Sequence, residues 1–142
     1  MIKRSGSAIW SGGIKDGKGS ISTQSGVLDK TQYGFNTRFE DGPGTNPEEL
    51  IGAAHAGCFT MALSGQLGEA GMTAEQLSTT ATVTLDKVEG GFAISAVHLT
   101  LVAKIPGANK EAFDAAALRA KENCPVSKLL NATITLDARL EN

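Results

Sequence analysis

The chain has 142 residues, 41% of them hydrophobic and 20% charged, with a formal net charge of -2. That length suits one domain with a core of its own. Scattered Lys and Arg, the near-balanced charge and an aromatic content of 5% argue against a basic nucleic-acid surface, a base-stacking platform or attraction to an anionic membrane.

In chain order, Ile2 to Trp10 reads as a weak strand. "GGIKDGKGSIS" carries Asp16-Gly17 between short runs, a hairpin signal. "YGFNTRFEDGPG" reads as extended chain that closes in a Gly/Pro turn. The strongest helix covers residues 46 to about 70. Asn46 is a good N-cap and Pro47 fits the first helical position. Glu49 stands where its side chain can reach back to the cap's own amide, and Gly71 is a natural stop. Gly52, Ala53, Ala54, Ala56, Gly57 and Ala62 keep this helix slim, so its backbone can approach a neighbour closely. Its low-charge run, Leu50 to Leu67, holds His55, Ser64, Gln66 and several glycines, and reads as a buried helix of a soluble protein and not a membrane span.

Thr73 to Leu77 reads as one helical turn. "STTATVTLDKV" and "FAISAVHLTLVAKI" alternate as strands, joined by "EGG". Lys110 to Asn123 is an amphipathic helix with Phe113, Ala116, Ala117 and Ala120 on its apolar face. "CPVSKLL" opens a short helical piece, and "ATITLDARL" closes the chain as a strand. Strands and helices do not alternate one for one, which favours an α+β domain covering residues 1–142 over a parallel α/β sheet.

The chain carries two cysteines, Cys58 and Cys124, and no CxxC. "MIKRSGSAIWSGG" lacks an apolar core of signal-peptide length, so the expected compartment is the cytoplasm, where thiols stay reduced. Cys124 precedes Pro125, which places it near a helix N-terminus, where a thiolate is favoured. Four readings stand at this point: two inert buried thiols, a structural disulfide, which a cytoplasmic setting disfavours, a metal site with His55, or a nucleophile with a partner. His55 shares a helix face with Cys58, and its bland role is a hydrogen-bonded histidine at a packing interface. A four-ligand zinc site has too few donors. Glu49 has a capping role; Glu48 is a first-turn carboxylate. Arg38, between Phe35 and Phe39, is either a surface residue with a buried stem or the permanent cation that a thiolate needs.

"YGFNTRFEDGPGTNPEELIGAAHAGCFTMAL", "LDKVEGGFAI", "CPVSKLL" and "ITLDARL" together closely resemble the OsmC/Ohr family of osmotically inducible, organic-hydroperoxide-reducing proteins, in its OsmC branch. The resemblance covers nearly the whole chain. Gly57 departs from it, standing before the cysteine where alanine is expected. The resemblance implies antiparallel sheets wrapped around central helices in an intertwined α+β homodimer, with active sites between subunits. It implies a cysteine-based peroxidase without metal or cofactor. Cys58 matches the peroxidatic cysteine and Cys124 the resolving one. Arg38 matches the arginine that stabilises the thiolate, and Glu48 the carboxylate that holds that arginine. The substrate is then an organic hydroperoxide and the reductant an external dithiol, with a lipoyl-type dithiol implied by the family.

Glu48 and Cys58 lie ten residues apart on one helix, hence about 15 Å apart along its axis. If both serve one site, either the helix breaks or the two come from different subunits. Phe39, Ile51 and Phe59, apolar residues near the motif, are the expected lining of a pocket that favours organic peroxides. Two other classes compete: a non-catalytic binding or scaffold protein with an unreactive Cys58, and a metal-binding protein using His55, Cys58 and Cys124.

Overall fold

The structure, a computed structural model, describes residues 1–141. Contacts divide the chain into two units, Met1–Leu50 and Ile51–Asn142. In the first, β1 (Gly6–Ser11), β2 (Lys18–Thr23) and β3 (Thr31–Tyr33) form an antiparallel sheet in that order. The β1–β2 connection is the expected hairpin, with the Gly17 N–H donating to Gly13 O at 2.9 Å. β1 begins at Gly6 and leaves Ile2 outside the ladder. Trp10 and Tyr33 meet edge to face at 5.6 Å on this sheet.

The segment expected to be extended around Arg38 is instead a short helix, α1 (Phe35–Phe39). Two local contacts overrule its weak helix propensity. Thr37 Oγ1 accepts the Gly34 N–H at 2.8 Å and donates to Gly34 O at 3.0 Å. Phe35 and Phe39, one turn apart, pack ring on ring at 4.9 Å. Gly44 then allows the return, at φ +127 and so close to Gln32 that a Cβ would collide with its carbonyl.

The long helix α2 spans Pro47–Glu69. Asn46 caps it, its Oδ1 accepting the Glu49 N–H at 2.8 Å. The reciprocal capping bond is absent, because Glu49 Oε2 accepts from Thr45 Oγ1 at 2.8 Å instead. At the other end Gly71 N–H donates to Gly68 O at 3.0 Å and Met72 N–H to Leu67 O at 2.8 Å. With Gly71 at φ +77, this is a Schellman stop.

The second unit continues with β4 (Gln76–Val88) and β5 (Gly91–Lys104), an antiparallel hairpin with a register shift at Thr84/Leu85. Helices α3 (Lys110–Asn123) and α4 (Pro125–Leu129) follow, then β6 (Thr133–Glu141). β6 pairs with β5 in parallel, so the second sheet is mixed. A parallel partner needs a long crossover, which α3 and α4 supply. The expected helical turn at Thr73–Leu77 does not form. Glu75 N–H donates to Lys104 O at 2.8 Å and Leu77 pairs with Ala103, so sheet pairing takes this segment.

One face of the β4–β5–β6 sheet is apolar. Val97, Leu99, Leu101 and Ala103 of β5 are buried against Phe59, Leu63 and Leu67 of α2 and against Phe113, Ala116, Ala117 and Ala120 of α3. Each large side chain buried there contributes about 1.5–3 kcal/mol. Gly52 lets α2 lie close to the sheet, since a Cβ there would stand 3.1 Å from Ala81 O. The buried positions of α2 after its first turn, Gly52, His55, Phe59, Leu63 and Leu67, form one face. The opposite face, with Ala53, Gly57, Met61 and Gly65, is exposed in the single chain. The result is an α+β fold. Among the described residues no helix is long and apolar enough to cross a membrane.

Candidate active site

Cys124 is both the C-cap of α3 and the N-cap of α4, with Pro125 opening the second helix. This junction sets Cys124 Sγ 2.7 Å from Cys58 Sγ, to which it donates. Both thiols are free; Cys58 is half-buried and Cys124 fully buried. Burial pushes the Cys58 thiol up, the Cys124 thiol adds to that shift, and the Val126 N–H pulls it back. The Val126 N–H of α4 therefore favours the Cys58 thiolate. Cys124 makes no side-chain capping bond. None of these influences is a cation, so this thiol needs one to ionise readily at neutral pH.

His55, one turn before Cys58, is wholly buried, and its Nε2 pairs with Ser127 Oγ at 2.7 Å. Burial lowers its pKa, which keeps the imidazole neutral. That is the packing histidine expected from sequence, and its partner Ser127 was missed. The signal was present: Ser127 follows Cys124 at the same spacing by which His55 precedes Cys58. Among the described residues no three His, Cys, Asp or Glu side chains cluster to hold a metal ion.

The other two residues expected at the site, Arg38 and Glu48, meet in the first unit. Arg38 lies in the last turn of α1 and Glu48 in the first turn of α2, where a carboxylate is favoured. Asn46 Nδ2 ties the two elements by donating to Thr37 O at 3.0 Å. Arg38 Nε and Nη2 donate to the two oxygens of Glu48 at 2.9 and 3.0 Å, a two-pronged ion pair of fixed geometry. The guanidinium also lies 5.5 Å from the Phe39 ring centroid.

Beside Arg38 the first unit opens an apolar cavity of about 270 Å³, lined by Trp10, Ile14, Tyr33, Phe35 and Phe39. Only Phe39 of the three expected lining residues is there. Phe59 belongs to the core, on the α2 face that Leu63 and Leu67 continue onto the sheet. Ile51 is half-buried and does not line this cavity. Sequence reasoning missed Trp10 and Tyr33, which reach the cavity only through strand pairing.

The OsmC-like protein family matches residues 40–139. The chain is 56% identical over 141 residues to peroxiredoxin OsmC of Escherichia coli (strain K12), covering 99% of each chain. It is 32% identical over 124 residues to the organic hydroperoxide resistance protein OhrB of Bacillus subtilis (strain 168), covering 87% of this chain and 88% of that one. The crystal structure of Bacillus subtilis OhrB superposes with a TM-score of 0.68 at 28% identity, over 96% of this chain and 98% of that one. An OsmC-like protein of unknown function from Vibrio cholerae shares the fold alone, with a TM-score of 0.78 at 16% identity, over 97% and 99% of the two chains. The chain belongs to the OsmC-like family.

Proposed function

We infer that this chain is a cysteine-based peroxidase that reduces organic hydroperoxides to alcohols. The carrying observation is the pair of free thiols 2.7 Å apart at the meeting of α2 with the α3–α4 junction. The names of its relatives, a peroxiredoxin and an organic hydroperoxide resistance protein, support the same chemistry. The Cys58 thiolate attacks one oxygen of ROOH. The O–O bond breaks, the alkoxide leaves and takes a proton as ROH, and Cys58 becomes a sulfenic acid. The Cys124 thiol then displaces the hydroxyl as water and forms the disulfide. An external dithiol, of lipoyl type in this proposal, returns both thiols by exchange. A reducing cytoplasm is the proposed setting.

Arg38 is the proposed cation for the Cys58 thiolate, and Glu48 holds it in place. α2 is unbroken, so Glu48 and Cys58 of one chain stand about 15 Å apart along its axis. The proposed site therefore takes Arg38 and Glu48 from one subunit and Cys58 and Cys124 from the other. The exposed α2 face of Ala53, Gly57 and Met61 supports this homodimer, since small side chains let two helices approach closely. The apolar cavity beside Arg38 is the proposed seat of the organic group of the peroxide. The test is a peroxidase assay with an organic hydroperoxide and a dithiol, comparing wild type with Cys58→Ser. Equal turnover by the two proteins would remove the reading.

A further inference from the structure

We propose that His55 and Ser127 are a positioning pair that holds Cys124 at bonding distance from Cys58 and so governs closure of the disulfide, a role that rests on the thiol-peroxidase reading above. Two cross-links join the same two segments. Cys58 meets Cys124 at 2.7 Å, and His55, three residues earlier, meets Ser127, three residues later, at 2.7 Å. The mirrored spacing makes the second link a brace one turn from the first.

The brace has a reason to exist. α4 has only five residues, and at its ends Lys128 N–H donates to Cys124 O at 3.1 Å and Leu130 N–H to Val126 O at 3.2 Å. A helix that short does not hold itself. It is seated by the packing of Val126 and Leu130 against the core, by the Val126 N–H at Cys58 and by the bond from Ser127 to α2. An imidazole in an apolar core is costly, and a leucine there would be cheaper. His55 is fully buried, and its Nδ1 has no partner among the described residues. An orphaned lone pair is better tolerated than an orphaned N–H. The proton therefore sits on Nε2, which donates to Ser127 Oγ.

The step that needs the brace is Cys58–SOH + Cys124–SH → Cys58–S–S–Cys124 + H₂O. The S–S bond forms and the S–O bond breaks. The hydroxyl leaves with the Cys124 proton as water, and the Cys58 sulfur is reduced by one unit as the Cys124 sulfur is oxidised by one. A disulfide is about 2.05 Å long, so closure from the observed spacing is a shift below one ångström. Free movement of α4 would dilute Cys124 around its target and leave the sulfenic acid open to further peroxide.

The experiment uses the full chain in glutathione redox buffers, which read the effective concentration of Cys124 at Cys58 without any peroxide. Ser127→Ala and His55→Gln are expected to lower it about three- to tenfold, the worth of one net hydrogen bond. Ser127→Thr keeps the hydroxyl and is expected to restore it. Leu101→Val, a core truncation in β5, serves as the stability control and is expected to leave it unchanged. If His55→Gln does not fold, Ser127→Ala decides. A wild-type value in Ser127→Ala, or an equal fall in Leu101→Val, overturns the proposal. A second arm adds one equivalent of cumene hydroperoxide and traps sulfenic acid, which should persist longer in Ser127→Ala. A wild type that forms neither sulfenic acid nor a Cys58–Cys124 disulfide with the peroxide, while Ser127→Ala still lowers the exchange constant, defeats the peroxidase reading and leaves the brace standing.

Discussion

Arg38→Ala isolates the charge that the proposed chemistry depends on. Within its own unit Cys58 feels burial and the Cys124 thiol, both raising its pKa, against one backbone N–H from Val126. Without a cation it should therefore titrate above the ordinary thiol range. An opposite charge at close range lowers a pKa by about one to three units. The Arg38 side chain is 39% exposed, so solvent screens it and the lower end applies. Arg38→Ala is thus expected to raise the Cys58 pKa by about one unit and cut the thiolate at neutral pH about tenfold. Arg38→Lys keeps the charge but loses the two-pronged bond to Glu48, and should fall between alanine and wild type. Glu48 is buried, so losing its partner also costs about 1–3 kcal/mol of stability, and circular dichroism must confirm folded protein at the assay temperature. The assay is thiolate absorbance in the ultraviolet against pH, paired with the pH–rate profile for the first turnover. Coincident titration curves for wild type and Arg38→Ala would refute the reasoning, because the cation would then have no hold on the thiol.

Cys124→Ser should complete one turnover and stall, with Cys58 persisting as a sulfenic acid and over-oxidising under excess peroxide; mass spectrometry of the protein reads this directly. Co-refolding Arg38→Ala with Cys58→Ser should recover about a quarter of wild-type activity, because half of the dimers are mixed and each has one intact site. Recovery no greater than the sum of the two variants refolded separately would rule out a site shared between subunits. Burial holds the His55 pKa below its ordinary value. The stability tied to its neutral form is present above about pH 6.5 and lost as pH falls through the folded-state value. Denaturant midpoints measured between about pH 7 and pH 5 should decline in wild type and flatten in His55→Gln.

Much of the fold was legible because local signals agreed with tertiary ones. Asn46 and Gly71 bound α2 where their chemistry requires it, and α3 spans Lys110–Asn123 as its apolar face predicts. The failures have a common cause in contacts distant in sequence. Sheet pairing with Lys104 and Ala103 claims the Thr73–Leu77 segment, and a threonine with two phenylalanines coils the run around Arg38. The parallel pairing of β6 with β5 depends on a crossover that no local pattern encodes. Family motifs singled out Cys58 and Cys124, and Arg38 and Glu48, as candidates, and each couple lies within hydrogen-bonding distance. Phe59 was misplaced because apolar character does not say which face of α2 it shares; its spacing with Leu63 and Leu67 does.

The central claim is that Cys58 reduces the peroxide and Cys124 closes on it. Its most direct measurement is a single-turnover titration of reduced wild type and Cys58→Ser with one equivalent of an organic hydroperoxide, following alcohol formed and thiols lost. The account predicts that the wild type forms one alcohol per chain, loses both thiols and yields a Cys58–Cys124 bridge, while Cys58→Ser forms none. Alcohol formation by Cys58→Ser at the wild-type rate, or a wild type that keeps both thiols, would contradict it.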